Sequence, residues 1–129
     1  MSLQAFDERI VLLYSRLFLP ADGTTLVTVA AANSGDRRLD ACMVANRDTI
    51  PHVVNLQMTN GAILTQLGSL SVPAGQGYAG TPALDLFASV LPVGQVGLVL
   101  SPATTLQVSM SVAIVATFDV SVTMVGGSF

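Results

Sequence analysis

The chain has 129 residues, a length that predicts one domain. Apolar residues make up 51% of it and charged residues only 10%, against about 25% in an average globular domain, and the sequence contains no lysine. The net charge is −3 and no basic residue follows Arg47, which argues against nucleic acid as a partner because phosphate binding depends on lysine and arginine.

Residues 1–18 predict an N-terminal arm or a first strand, and residues 19–129 predict a β-sandwich domain. The segment 3–18 could also form a helix, since Asp7 and Glu8 would suit a first helical turn. We favour an arm that ends in a strand over 11–19. The same two acids stand where the apolar part of a signal peptide would begin, and no later run reaches the roughly 20 apolar residues of a membrane helix. We therefore expect neither a signal peptide nor a membrane partner.

Turn residues recur about every ten positions after residue 19, which is typical of short antiparallel strands in a sandwich or barrel. The segment Asn33–Asp36 suits a hairpin turn, because Asn and Gly tolerate positive φ. The stretch 50–64 is less regular and reads as a strand followed by a long loop. Strands are predicted at 24–32, 38–45, 67–72, 83–91 and 96–100.

Two later segments alternate between apolar and polar residues. Period-two alternation places one set on the core face of a strand and the other set outside. The apolar sets are Leu106, Val108, Met110 and Val112, then Phe118, Val120, Val122 and Met124. These patterns predict an all-β fold, an antiparallel jelly-roll-like sandwich of about eight strands.

The outward positions of these two strands carry small neutral residues, among them Ser109, Ser111, Ser121 and Thr123. A freely diffusing protein normally keeps a charged surface, and the cores of protein interfaces are depleted of charge. We therefore predict that other protein subunits cover much of this surface.

Residues that could carry chemistry are few. His52 is the single histidine and could form a Ser-His-Asp arrangement with Asp85 or Asp119, but no nucleophile elbow is present and a structural or solvent-facing histidine is favoured. The two aspartates could be a catalytic pair, but we favour outward-pointing charges that protect strand edges. We predict no catalytic residue.

Metal and cofactor motifs are also missing from the sequence. Cys42 and His52 match no zinc spacing, and Asp36 and Asp40 make no calcium-binding pattern. The single cysteine excludes an internal disulfide. The basic pair Arg37–Arg38, flanked by the two aspartates, reads as a solvated loop. We predict no cofactor, no metal and no small-molecule substrate.

The turns share a recurring form. A Pro-Ala-Asp-Gly-Thr-Thr turn at 20–25 leads into a strand that ends in Ala32–Asn33, and a Pro-Ala-Gly turn follows at 73–75. The alternating segments 100–109 and 120–123 precede Gly126–Gly127. In these features the chain resembles the small β-sandwich virion proteins of tailed bacteriophages, over roughly residues 19–127.

This resemblance implies a structural virion protein that is made in the host cytoplasm. Because the chain is short, has one domain and neutral surfaces and shows no enzyme motif, we favour a protein that decorates and stabilises the capsid exterior. Its implied partners are the major capsid protein and copies of itself, as a dimer or trimer, and its arm would reach a neighbouring subunit or form its own first strand. The alternatives are a tail or head–tail connector component, a host-recognition module and, third, an enzyme. The expected protein-interface residues are Phe6, Arg9, Tyr14, Arg37, Arg38, Ser109, Ser111, Ser121 and Thr123.

Overall fold

The structure is a computed structural model that describes residues 11–32, 35–78, 80–92, 95 and 97–128. Phe6 and Arg9, and with them most of the predicted arm, lie outside the described residues. A 3-10 helix spans Pro20–Asp22, and one short α-helix, α1, spans Leu86–Val90. The strands are β1 Val11–Phe18, β2 Val27–Ala30, β3 Arg37–Asn46, β4 His52–Asn60, β5 Ile63–Val72, β6 Leu84–Asp85, β7 Leu98–Leu100, β8 Thr104–Met110 and β9 Val120–Ser128.

The strands form two antiparallel sheets, which confirms the predicted all-β sandwich. Sheet A has the order β1-β9-β3-β6, with β7 also paired to β3, and sheet B has the order β2-β8-β4-β5. The pairs are nested along the chain: β1 with β9, β2 with β8, β3 with β6 and β7, and β4 with β5. A long hairpin rolled into two sheets gives this nesting, which is the jelly-roll arrangement.

The centre of the roll is a tight hairpin between β4 and β5. Asn60 pairs with Ile63, so only two residues form the turn, and the first of them, Gly61, has φ +60. Glycine accepts this conformation without strain, as type II′ turns require. The predicted long loop within 50–64 is therefore wrong. The register between β4 and β5 skips Leu67, and this bulge in β5 breaks the alternation of apolar residues between Leu67 and Leu70, which hid the length of β5.

Two other predictions need correction. Asn33 and Ser34, at the predicted hairpin turn 33–36, lie outside the described residues, and the flanking strands β2 and β3 belong to different sheets, so they do not pair as the predicted hairpin. The predicted strand over 83–91 holds only the two residues of β6, and the chain then turns into α1. The Asp85 carboxylate caps α1 by accepting the backbone N–H of Phe87 at 3.1 Å. No helix within the described ranges has the length and apolarity to cross a membrane.

The core lies between the two sheets and follows the predicted alternation in β8 and β9. Leu106, Val108 and Met110 of β8 are buried, as are Val122 and Met124 of β9. Val112, which the alternation also assigned to the core, is 54% exposed because β8 ends at Met110.

A glycine in β9 permits the close pairing of β9 with β3. A Cβ atom on Gly126 would lie 2.0 Å from the carbonyl oxygen of Arg38 and 2.7 Å from Cα of Leu39, both backbone atoms beside a bulge in β3. Gly126→Ala is expected to lower the free energy of unfolding by about 3 kcal/mol, because the two strands must separate to make room. Urea denaturation measures the loss. Gly35→Ala, with no atom within 4 Å of the added Cβ, is the control and should change stability by about 0.5 kcal/mol or less.

Candidate interaction surfaces

The outer surface of sheet B, which we call face B, is neutral and has two polar central rows, with the exposed Leu64 and Val53 on either side of them. Residues directly opposite in antiparallel strands share a face, so the strand register gives its rows. The central row crosses all four strands and consists of Thr28, Gln107, Gln57 and Gln66. The row beside it consists of Ser109, Asn55 and Ser69. Neither row carries a charged side chain.

Hydrogen bonds connect the central row of face B, and each amide donates to the next residue of the row, from β5 towards β2. The Gln66 amide donates to Oε1 of Gln57 at 2.8 Å, the Gln57 amide donates to Oε1 of Gln107 at 3.3 Å, and the Gln107 amide donates to Oγ1 of Thr28 at 3.5 Å. Thr59 adds a hydroxyl donor to Oε1 of Gln107 at 3.0 Å. Gln57 is 6% exposed. Paired side chains of this kind are already ordered, so a partner that covers them loses little conformational entropy.

The second row of face B has a similar network. Ser69 donates its hydroxyl to Oδ1 of Asn55 at 2.7 Å, and the Asn55 amide donates to Oγ of Ser111 at 3.1 Å. In both rows these amides and hydroxyls are paired with one another and carry no formal charge.

The outer surface of sheet A, face A, is more apolar. Its centre is a grid of three rows from β1, β9 and β3: Leu13, Val125 and Ala41; Ser15, Thr123 and Met43; Leu17, Ser121 and Ala45. Leu13 is 66% exposed and Leu17 is 48% exposed. Within the grid the hydroxyls of Ser15 and Thr123 lie 3.2 Å apart.

Ion pairs border the grid of face A at both ends of β3. At one end Arg38 donates to the Asp40 carboxylate at 2.8 Å. At the other end Arg47 pairs with Asp119, and its guanidinium carbon lies 5.9 Å from the ring centre of Tyr78. An apolar centre with a polar rim is the usual anatomy of a protein interface.

The structure separates the interface residues expected from the sequence. Ser109 and Ser111 lie on face B, whereas Ser121 and Thr123 lie on face A, on the opposite side of the sandwich. Arg38 lies at the border of face A. The four small polar residues therefore belong to two surfaces, each of which can meet a different neighbour.

Arg37 is 0% exposed, so the solvated-loop prediction is wrong for it. Its guanidinium donates to the carbonyl oxygen of Thr104 at 2.7 Å, to that of Ala31 at 2.8 Å and to the Tyr14 hydroxyl at 3.1 Å. Tyr14 is half-buried in this contact. The Arg37 side chain holds sheet A to the first residue of β8 and offers no surface to a partner.

His52 is also buried, and its partner is neither of the aspartates considered in the sequence. Nε2 lies 2.7 Å from Oδ2 of Asp48, and both side chains are 0% exposed. Asp48 also accepts the backbone N–H of Val115 at 2.9 Å and that of Thr49 at 2.6 Å. No described residue bonds to Nδ1 of His52. The Ser-His-Asp arrangement is therefore not assembled among the described residues.

Burial alone would raise the pKa of Asp48. The hydrogen bond from His52, the two backbone hydrogen bonds and the charge of His52 outweigh that effect and lower the pKa of this carboxyl below its usual value. The pair joins the loop after β3 to β4 and to the loop before β9, so its role is to hold one end of the sandwich together.

Asp85 and Asp119 are not the outward-pointing charges predicted from the sequence. Asp119 is 6% exposed and pairs with Arg47, and Asp85 accepts the backbone N–H groups of Cys42 and Phe87 at 2.9 and 3.1 Å. Asp85 and Asp40 line an open cleft of about 250 Å³ beside α1. No group of three or more metal-binding side chains occurs in the part of the chain that the structure describes.

Sequence reasoning missed the two features that characterise the faces. The glutamine row of face B joins positions 28, 57, 66 and 107, which only the strand register brings together. Leu13 and Leu17 are four residues apart on β1, so they lie on the same side of the strand. The period-two rule applied to that strand could have predicted that they share the outer face. No protein-family model matches the chain, and no curated protein sequence is similar to it.

Proposed function

We propose that this chain is a structural protein that binds other protein surfaces in an assembly, and specifically a virion protein that decorates and stabilises a tailed-phage capsid. The observation that carries the proposal is that the described residues at the centre of both outer faces of the sandwich carry no charge, while the described ion pairs lie at the borders of the faces or at loop ends. Such faces can be buried between subunits without desolvating charged groups, which is a large cost of association.

Face B is the surface that we assign to the capsid protein. Its amides and hydroxyls are held in position by their mutual hydrogen bonds. A protein that binds only the assembled shell raises the stability of that shell by linkage, since its binding free energy is lost when the shell comes apart. The resemblance of residues 19–127 to phage virion proteins supports a virion as the assembly, and the short single domain with neutral faces favours capsid decoration among virion roles.

Lysine substitution on face B tests this assignment. Ser111→Lys and Ser109→Lys are expected to weaken binding to empty shells at least about 10-fold, because each places an unpaired charge in the interface. Ser111 is exposed, so its substitution should change the free energy of unfolding by about 0.5 kcal/mol or less. Co-sedimentation with shells of the major capsid protein from the same phage measures binding.

Ser89→Lys, on the exposed side of α1, is the matched control and should bind shells as the unmodified chain does. Bound chain should also raise the temperature at which the shells disrupt. Equal loss of binding and stability in Ser111→Lys would mean that face B is not the contact surface. Binding to tails or cells in place of heads would assign the chain to the tail or host-recognition class.

A further inference from the structure

Strand β1 has one edge that no described strand covers. It lies at the end of sheet A and pairs only with β9, in an unbroken register from Val11 to Phe18. The backbone N–H and C=O groups of successive residues point to alternate sides of a strand, so half of those in β1 point away from β9. An edge of this kind is a template for a further strand.

The other sheet edges have features that hinder strand addition. β6, β7 and β2 have only two, three and four residues, and the register of β2 with β8 also shifts after Thr28. β5 has ten residues, but the bulge at Leu67 divides it into two shorter segments. Short strands and bulges are ways in which proteins prevent edges from pairing. β1 has eight residues in regular register, without proline or lysine, and its one charged side chain, Arg16, is paired with Asp22 at 3.0 Å.

We propose that the β1 edges of two copies of this chain pair antiparallel about a two-fold axis at Ser15, so that the two A sheets become one continuous sheet. Residues directly opposite in an antiparallel pair lie on the same face, so the axis of two identical strands passes through a residue pair. With the axis at Ser15, Leu13 of each copy lies opposite Leu17 of the other, and Tyr14 lies opposite Arg16.

The neighbouring registers match the side chains less well. An axis at Tyr14 would set Leu13 opposite Ser15 and Arg16 opposite Leu12. An axis at Arg16 would set the two arginines opposite each other, and like charges in that position destabilise a strand pair. The axis at Ser15 joins the two exposed leucines, which are 66% and 48% accessible, and keeps the arginines apart. β1 itself therefore has the side chains that its partner strand requires.

Backbone hydrogen bonds would supply most of the affinity, as in other cases of strand addition. Residues 12–18 of the two strands overlap in this register. That overlap allows about six to eight backbone hydrogen bonds, because an antiparallel pair forms two bonds at every second residue pair. We expect the free dimer to be weak and to dissociate on dilution. Copies held side by side on an assembly would associate at a higher effective concentration.

Disulfide formation tests the axis. Ser15→Cys sets two thiols directly opposite each other, and the Cα atoms of opposite residues lie about 4.5–5.5 Å apart, a distance that a disulfide spans. Thr123→Cys is the matched control. Thr123 lies beside Ser15 on β9, so the two copies of that residue would be three strand spacings, or about 14 Å, apart.

With oxidised glutathione we expect Ser15→Cys to form disulfide-linked dimers and Thr123→Cys to form none. The native Cys42 should not react, because it is buried and because burial and the charge of Asp85 raise the pKa of its thiol to about 12. Equal yields from the two variants, or dimers from Thr123→Cys alone, would overturn the proposed axis.

Sedimentation equilibrium with charged variants tests the register. Leu13→Glu and Leu17→Lys are each expected to lower the association constant at least about 5-fold, because each charge occurs twice and faces a leucine. The double variant Leu13→Glu/Leu17→Lys should recover most of this loss, since each glutamate then faces a lysine of the other copy. Leu13→Glu/Ser15→Lys is the matched control. It sets two lysines opposite each other at the axis and should associate no better than Leu13→Glu.

Three results would overturn the proposal. The first is a chain that stays monomeric up to about 1 mM. The second is recovery of association in Leu13→Glu/Ser15→Lys in place of Leu13→Glu/Leu17→Lys, which would move the axis to Tyr14. The third is loss of shell binding by Leu13→Glu in a chain that is monomeric, which would mean that a strand of the capsid protein covers this edge. Association is measured on the free chain, so failure of the dimer and failure of shell binding are separate results.

Discussion

Replacing Arg37 with alanine is expected to lower the free energy of unfolding by about 3–5 kcal/mol. The guanidinium is fully buried and is the donor to two backbone carbonyls, those of Ala31 and Thr104. Truncation leaves both oxygens without that donor and opens a cavity between β3 and β8. Urea denaturation with linear extrapolation measures the loss, and an unchanged m-value would show that the two-state transition is preserved.

Arg37→Lys and Arg37→Met keep the length of the side chain and separate its contributions. Lysine has a compact ammonium group in place of the planar fork, so we expect it to reach one carbonyl well and to recover only part of the stability. Methionine fills the space but donates nothing. Tyr14→Phe removes one acceptor, the phenol oxygen, and should cost about 1 kcal/mol.

Arg38→Ala is the matched control for Arg37. Its side chain is 38% exposed and pairs with an Asp40 side chain that is 39% exposed, so the loss should be about 0.5 kcal/mol or less. Similar losses for Arg37→Ala and Arg38→Ala would contradict the burial of Arg37. If Arg37→Ala does not fold, the free energies of unfolding of Arg37→Lys and Arg37→Met, whose side chains keep the length of arginine, test the same contacts.

Local patterns predicted the strands whose alternation is unbroken. β8 and β9 repeat with period two from Thr104 to Met110 and from Val120 onwards, and both are strands with the expected face in the core. The alternation failed where the backbone departs from a regular strand. A bulge interrupts β5 at Leu67, and the five residues of α1 are too few to display a helical period.

Contacts between distant parts of the chain could not be predicted in the same way. Arg37 bonds to Thr104 and Asp48 bonds to Val115, each across 67 residues, and nothing near either residue announces its partner. The position of Arg37 two residues before the apolar Leu39 could have predicted its burial, because residues two apart lie on the same side of a strand and both are buried in β3. The division of the outer residues between two faces depends on which strands share a sheet, and the sequence does not contain that information locally.

Asp48→Asn is expected to lower the free energy of unfolding by about 2–3 kcal/mol at neutral pH, although it changes only one atom of the side chain. The two carboxylate oxygens accept hydrogen bonds from His52, from the backbone of Val115 and from the backbone of Thr49. An asparagine has one oxygen and one NH₂ group, so one buried donor would face another donor. The carboxylate form is the one that accepts all three, which requires Nε2 of His52 to carry a proton.

The loss should diminish in acid. Because the pKa of Asp48 is lower in the folded chain than in the unfolded chain, its carboxylate stabilises the fold above the unfolded pKa. That stabilisation is lost as the pH falls from about 5 through about 4 towards the lower, folded pKa. Unfolding of the two chains at pH 7, 5 and 3 should therefore show the largest difference at pH 7 and the smallest at pH 3.

Asp40→Asn removes a half-exposed carboxylate from the border of face A and is the matched control. We expect it to cost about 0.5 kcal/mol or less at neutral pH. The part of the acid-dependent loss of stability that comes from Asp48 should be absent from Asp48→Asn and present in Asp40→Asn, since only the former lacks the buried carboxylate. A difference between the unmodified chain and Asp48→Asn that stays constant from pH 7 to pH 3 would mean that the loss comes from packing, and that Asp48 is not held in its charged form by the contacts around it.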